Sequence, residues 1–394
     1  MTRAASLLSD ADLLARLVAF DSVSHRGNRP IADFVCDYLD RPGVTIERQI
    51  APDGDDARVN LLIHAGPATT PSRAGLTLSG HLDVVPADEP DWTSDPFQLI
   101  DADDRYVGRG AADMKGFVAL AINRLAQRAA AGDLGAPLAL VLTYDEEIGT
   151  VGARDFAAAY ADRADALPRA CVVGEPTSLR AIRLHKGHRR LGLTTAGVPA
   201  HSGYPHLGRS AIEPMARVIV ALAALRRQLE SEPGPHAAHF PAVPWPALNV
   251  GTVAGGAAVN VVPARCAIEV GVRALPGMDV DALTARIERA AFDALGDDAA
   301  AAQLTMTTIN DSPPMQLAEG APIYRAVCAR IDQRDTLSAS YATDAGWLAH
   351  LGLDCVIWGP GSIEVAHKPD EWMPKDEYAR GGALLDRLIG DFCA

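Results

Sequence analysis

The sequence predicts an α/β fold carrying an insertion: a mostly parallel sheet with helices on both faces, interrupted in the chain by a separate α+β module. Three observations carry this. Short apolar runs ending in polar residues alternate with helix-periodic segments in the first half, at residues 76–80, 138–143 and 171–174, as expected of parallel strands joined by crossover helices. From about Arg183 the order changes to strand, helix, two strands and a helix, and near Asn310 the first pattern resumes. The chain has 394 residues, 48% of them hydrophobic, enough to fill two cores. The expected division is residues 1–181 with 311–394 as one domain and 182–310 as the insertion.

Charge narrows the class of partner. Lys and Arg number 36 against 50 Asp and Glu, a formal charge of −14, which argues against nucleic acid or an anionic membrane and for a small molecule. The six cysteines are scattered without the paired spacing of a zinc knuckle or disulfide framework, so they read as reduced, buried thiols. The run from Met1 to Asp12 is broken by Asp10 and Asp12 before an apolar leader core can form, and no stretch of about 18 apolar residues occurs. The expectation is a soluble, cytoplasmic protein.

In chain order, Ser9 can cap a helix whose apolar face is Leu13, Leu14, Leu17 and Val18, and a second helix is predicted over residues 31–39. Two strand-like runs follow, at 45–50 and 59–64. The next apolar strand ends at Gly80 and presents His81 at its C-terminal end, where open α/β sheets place their ligands; Asp83 is close enough to accept the second ring N–H of His81. A glycine-punctuated loop, Gly108-Arg109-Gly110-Ala111-Ala112-Asp113, then delivers one carboxylate ahead of a helix-prone run at 117–125. Alone, Asp113 reads as an N-cap. The strand at 138–143 runs into Asp145-Glu146-Glu147, and because adjacent residues at a strand end point in different directions, Glu146 and Glu147 can take different roles. A run of acids is usually a solvated turn, but this one caps an almost wholly apolar strand. A third strand delivers Glu175 before Pro176.

Within the insertion the expected elements are a β-like run over 183–195, a helix over 212–225, strands near 248–253 and 265–273, and a helix over 280–295. After it come a helix over 323–331 and an apolar run with a glycine-rich turn leading to His367. Asp370 and Glu371 precede the last helix. The strand-end ligands are therefore His81, Asp113, Glu147, Glu175 and His367, with Glu146 beside them. Two imidazoles and three carboxylates suit a pair of zinc-like ions roughly 3.5–4 Å apart with one carboxylate bridging. Two divalent ions carry four positive charges and the three carboxylates remove three, and the remainder favours activation of water for hydrolysis.

Five stretches, Ser79-Gly80-His81-Leu82-Asp83, Gly108 to Gly116, Asp145-Glu146-Glu147, Gly174-Glu175-Pro176-Thr177 and Ala366-His367-Lys368-Pro369-Asp370-Glu371, resemble in order the dinuclear zinc amidohydrolases. That family includes acetylornithine deacetylase, succinyl-diaminopimelate desuccinylase, aminoacylase and glutamate-type carboxypeptidases. The resemblance implies that His81 and Glu175 hold one zinc (cobalt being an alternative metal), that Glu147 and His367 hold the other, and that Asp113 bridges. Glu146 becomes the general base and Asp83 the orienter of His81. In the insertion, which the resemblance makes a lid and a homodimer surface, His201 matches a histidine that crosses the dimer interface to the oxyanion, and Asn260 and Arg273 match positions that hold the substrate carboxylate. His185-Lys186-Gly187-His188, the residues from Arg273 to Met278 and Gly359-Pro360-Gly361-Ser362 are closest to the acetylornithine deacetylase subgroup. Asn260-Val261-Val262-Pro263 and Tyr204-Pro205-His206-Leu207 resemble the desuccinylase and aminoacylase branches, and Asp344 stands where the subgroup leads one to expect Glu. The implied reaction is hydrolysis of an N-acyl amino acid, N-acetylornithine first; desuccinylation, dipeptide cleavage and a metal-retaining protein without catalysis are the alternatives.

Overall fold

The computed structural model describes residues 7–70 and 72–394; residues 1–6, where the reading for a leader begins, lie outside them. The described chain divides into two compact units, one formed by the chain up to Arg183 with Gln316–Leu337 and Thr343–Ala394, the other by Leu184–Met315 with Ser338–Ala342. The second boundary falls later than residue 310, because strand Thr305–Ser312 pairs along its length with His188–Ala196 and so belongs to the inserted sheet.

The first unit is built on a mixed sheet whose central strands are parallel. Leu138–Thr143, Leu76–His81, Ala170–Val173 and Asp354–Ile357 lie side by side in that order, all parallel. Val59–Ala65 and Val44–Ile50 extend one edge antiparallel, and Ile182–His185 joins the other at Ile182. Leu76–His81 and Leu138–Thr143 are buried at every position, which explains why their sequences show continuous apolar runs rather than alternation. Helix Asp10–Val18 starts as expected, with the Ser9 side chain accepting from the Asp12 N–H at 3.1 Å, one of the N–H groups a helix start leaves unpaired. Helix Lys115–Ala131 packs on the strands Leu76–His81, Leu138–Thr143 and Val59–Ala65 and on helices Asp10–Val18 and Lys375–Cys393. No helix among the described residues is long and apolar enough to cross a membrane.

The second unit is a four-stranded antiparallel sheet in the order Ala247–Gly255, Arg265–Arg273, His188–Ala196, Thr305–Ser312. Burial alternates residue by residue along the two inner strands. One face is therefore covered and one open, and helices Ile212–Leu229 and Val280–Asp293 supply the cover through Met215, Val218, Leu222, Leu283 and Ile287. The run expected as one strand over 183–195 is two, Ile182–His185 and His188–Ala196, broken at Lys186 and Gly187.

Candidate metal centre

His81, Asp113, Glu146, Glu147, Glu175 and His367 all follow C-terminal ends of the central strands or the loop entering the helix that packs on them, and all belong to the first unit. Strand pairing brings together the strand ends that lead to His81, Glu146, Glu147 and Glu175. Leu76–His81 lies between the strand that leads to Glu146 and Glu147 and the strand that leads to Glu175. At Gly174, a Cβ would come within 1.9 Å of the Phe117 ring; glycine lets the helix entry that follows Asp113 close onto the strand end that delivers Glu175.

Two triads with ligand-capable geometry result, His81–Asp113–Glu175 and Asp113–Glu147–His367, the ligand atoms of each lying within 4.8 Å of one another. Asp113 belongs to both. Its Oδ1 is 3.1 Å from His81 Nε2 and its Oδ2 is 3.3 Å from His367 Nε2, while Glu147 Oε2 is 2.9 Å from the same His367 nitrogen. Asp113 does not cap its helix: the N-cap position is Met114, without a side-chain cap. The Asp113–Met114 peptide is cis.

The role expected of Asp83 changes in one respect. His81 Nδ1 donates to the backbone carbonyl of Asp83 at 2.9 Å, and the Asp83 carboxylate is farther, at 3.6 Å. Either acceptor fixes a proton on Nδ1 and turns Nε2 toward Asp113, where it donates when the ring is charged and is free to ligate when the ring is neutral. The carboxylate accepts instead from the backbone N–H groups of Glu146 and Glu147, at 3.1 and 3.2 Å, and from the Ser24 hydroxyl at 2.7 Å. Asp83 therefore holds the turn that carries the acids. Asp145, left-handed at φ 49°, makes that turn, and Arg58 Nε binds its Oδ2 at 2.6 Å.

The electrostatics are those of too many buried carboxylates. Burial pushes Glu146 well above the ordinary carboxylate range, and the Glu175 charge adds to the shift; burial and Asp113 do the same to Glu175. Glu147 is raised to about 7 by burial and by Asp113, and Asp344 to about 6 by burial. Burial would raise Asp113 also, but hydrogen bonds from His367 and His81 hold it well below the usual range. The same contacts with Asp113 and Glu147 push His367 up to about 10. Such a cluster fits divalent cations, which remove the repulsion that burial amplifies. Glu147 Oε1 is also buried without a hydrogen-bond partner, and imidazole nitrogens with carboxylate oxygens are a donor set that zinc accepts. Glu146 is only 9% exposed, and its side chain makes no hydrogen bond among the described residues.

The other three expected site residues lie in the second unit. His201 is exposed and bridges Val261, and the Ser202 N–H donates to the Asn260 carbonyl at 2.9 Å, so His201 and Asn260 share one loop pair. Gly203 N–H donates to His201 Nδ1 at 3.0 Å, which in the neutral ring places the proton on Nε2. Arg273 ends its strand half-buried, is lowered from the usual guanidinium range by burial, and makes no ion pair among the described residues.

Sequence reasoning missed several supports. Ser24, Thr143 and Arg58 had no local signal, and Arg109, 0% exposed, stood without a role inside the glycine-punctuated motif. Glu371 sits inside a recognised motif, and Asp344, 1% exposed, accepts from the Thr143 hydroxyl at 2.5 Å at the end of the strand beside His81.

A mostly parallel α/β sheet with an inserted module and an imidazole–carboxylate cluster at its strand ends defines the class, a hydrolase of the metallopeptidase type. The model of peptidase family M20/M25/M40 matches residues 77–391, and the chain belongs to that family. It is 35% identical over 380 residues to acetylornithine deacetylase of Edwardsiella ictaluri, covering 95% of this chain and 94% of that one. To the Myxococcus xanthus enzyme of the same name it is 34% identical over 386 residues, with 96% of each chain covered. Among solved structures it is similar to an M20 family metallo-carboxypeptidase from Sulfolobus solfataricus, with a TM-score of 0.77 at 15% identity over 97% of this chain and 99% of that one.

Proposed function

We propose that this hydrolase uses two metal ions to cleave the N-acyl amide of an N-acyl-L-amino acid, with N-acetyl-L-ornithine as preferred substrate and L-ornithine and acetate as products. The observation that carries the reading is the sharing of Asp113 by two triads, with the uncommitted carboxylate of Glu146 beside them. Relatives named acetylornithine deacetylase, aligned over nearly the whole chain, support the choice of acyl group and amino acid.

His81 and Glu175 would hold one ion, Glu147 and His367 the other, and Asp113 both. Zinc suits these donors, with cobalt able to replace it. When bound, such ions polarise the acyl carbonyl and lower the pKa of water. Glu146 takes a proton from the attacking water and passes it to the amide nitrogen as the C–N bond breaks and the new C–O bond completes the carboxylate, a task that needs a carboxylate free of coordination. Asp83 keeps Glu146 and Glu147 aimed through their backbone N–H groups. In this reading Arg273, without an acidic partner among the described residues, takes the substrate carboxylate together with Asn260, and His201 offers its Nε2–H to the oxyanion.

Initial rates on a panel of acetylated, succinylated and peptidyl amino acids test the proposal. Highest kcat/KM on N-acetylornithine supports it; preference for a succinyl or dipeptide substrate overturns the specificity, and no hydrolysis by fully loaded protein overturns the activity. His201→Ala is expected to lower kcat by about 10²–10³-fold, roughly 3–4 kcal/mol for one oxyanion donor, with KM little changed because the bond strengthens in the transition state. Unchanged kcat would remove His201 from the chemistry.

We also propose that the second unit pairs with its counterpart in a second copy. Its outer strand Ala247–Gly255 leaves one edge unpaired among the described residues, with Val253 64% exposed, and Val220 on helix Ile212–Leu229 is 68% exposed; such an edge is a template for pairing. Light scattering should give twice the 41.5 kDa chain mass, and a monomer at working concentration would overturn the pairing.

A further inference from the structure

Glu371 is 1% exposed and every acceptor direction of its carboxylate is used for one purpose. Its Oε1 accepts from the backbone N–H groups of Ala112 and Asp113, both at 2.9 Å, and its Oε2 accepts from the Gly110 N–H at 3.1 Å and from Arg109 Nη1 at 2.9 Å. The Glu371 carbonyl accepts in turn from the Gly108 N–H at 2.9 Å. The whole loop that presents Asp113 is thus wrapped on one side chain from the segment that carries His367. Arg109 closes the figure from the opposite side: the same Nη1 reaches the Lys368 carbonyl at 3.3 Å, next to His367, while Nη2 donates to the Pro86 carbonyl at 3.1 Å and the guanidinium lies over the Trp92 ring at 5.0 Å.

From this geometry we infer that Glu371, with Arg109, is a positioning residue that sets the separation of Asp113 from His367 and thereby the affinity of the ion held by Asp113, Glu147 and His367. The inference rests on the metal reading above. The two histidines differ in how they are held. His81 ends a fully buried strand and is anchored through its own ring to the Asp83 carbonyl. His367 lies in a loop with a left-handed backbone, φ 59°, and its side chain is 49% exposed. The pair Arg109–Glu371 ties its loop to the loop of Asp113. Glutamine at 371 keeps the shape, but its NH₂ group faces N–H donors where the carboxylate accepted, so about half of the wrap is lost and the buried Arg109 guanidinium keeps only the more distant, partly exposed Glu89 carboxylate, at 3.6 Å. The ion shared with His367 should weaken most and the ion shared with His81 least.

The test is competition between the protein and a chromophoric chelator for zinc, which reads the two ions without substrate. With the two affinities assigned by their loss in His367→Ala and His81→Ala, the ion shared with His367 is expected to lose about 10–100-fold in Glu371→Gln, the usual effect of removing a support behind a ligand, while the ion shared with His81 shifts by a few-fold at most. Activity, measured against free zinc, should need correspondingly more metal yet recover its plateau at saturation. Glu371→Asp and Arg109→Lys, which keep the charges, should shift the same ion by less, and they are read in place of Glu371→Gln if that variant does not fold. Equal weakening of both ions, no weakening, or a plateau that excess zinc does not restore would each overturn the inference. A wild-type chain that binds no metal would overturn the metal reading itself, which is a separate outcome.

Discussion

Asp113→Asn is expected to reduce metal content from two ions per chain to one or fewer and to abolish measurable hydrolysis. Both triads depend on this one carboxylate, whose oxygens face different imidazoles at 3.1 and 3.3 Å, and a neutral amide offers one good acceptor where two are needed. Loss of even a supporting partner costs about 10–100-fold in metal affinity, so loss of the shared ligand should exceed that at both sites. His81→Ala is the milder companion, because it strips one triad and leaves Asp113, Glu147 and His367 in place. Elemental analysis of protein prepared without chelator and resupplied with zinc reads the outcome. Two ions per chain in Asp113→Asn, with turnover intact, would remove Asp113 from the centre.

Glu146→Gln should separate chemistry from metal binding. The side chain makes no hydrogen bond among the described residues, and its backbone N–H, which donates to Asp83 at 3.1 Å, is untouched by the substitution. Fold and metal content should therefore hold. Turnover should fall by about 10²–10⁴-fold, the usual contribution of a general acid or base, or about 3–5 kcal/mol at 1.36 kcal/mol per decade. Substitution of glutamine also removes one of the acids that burial and mutual repulsion push upward, since Glu175 contributes to the shift of Glu146. The variant should thus be no less stable in the metal-free form. Turnover like that of the unaltered chain would move the proton transfer to another group.

The strands were legible because burial on both faces demands continuous apolar sequence, as at residues 138–143, and the candidate ligands His81, Glu147 and Glu175 stood out because each follows such a run, whereas Asp113 comes from a glycine-punctuated loop. The start of the first helix was legible too, since Ser9 satisfies an N–H that any helix start leaves open. These are local constraints, and each can be read from a window of a few residues. The inserted module was visible as a change in the order of elements, but its exit was misplaced because strand Thr305–Ser312 is fixed only by its partner His188–Ala196, more than a hundred residues away in the chain.

Tertiary structure alone decided what stands behind the ligands. A sequence window shows Asp83 beside His81 and suggests a carboxylate–imidazole pair; the folded chain gives that ring to the Asp83 carbonyl and turns the carboxylate to the amides of Glu146 and Glu147. Glu371 and Arg109, 262 residues apart in the chain, form a buried pair around the Asp113 loop, and Asp344 meets Thr143 across 201 residues. The physical reason is the same in each case. A metal ligand announces itself by residue type at a strand end, whereas a hydrogen-bonded support is defined by an acceptor meeting a donor in space, and a buried carboxylate accepts from whichever N–H the packing brings to it.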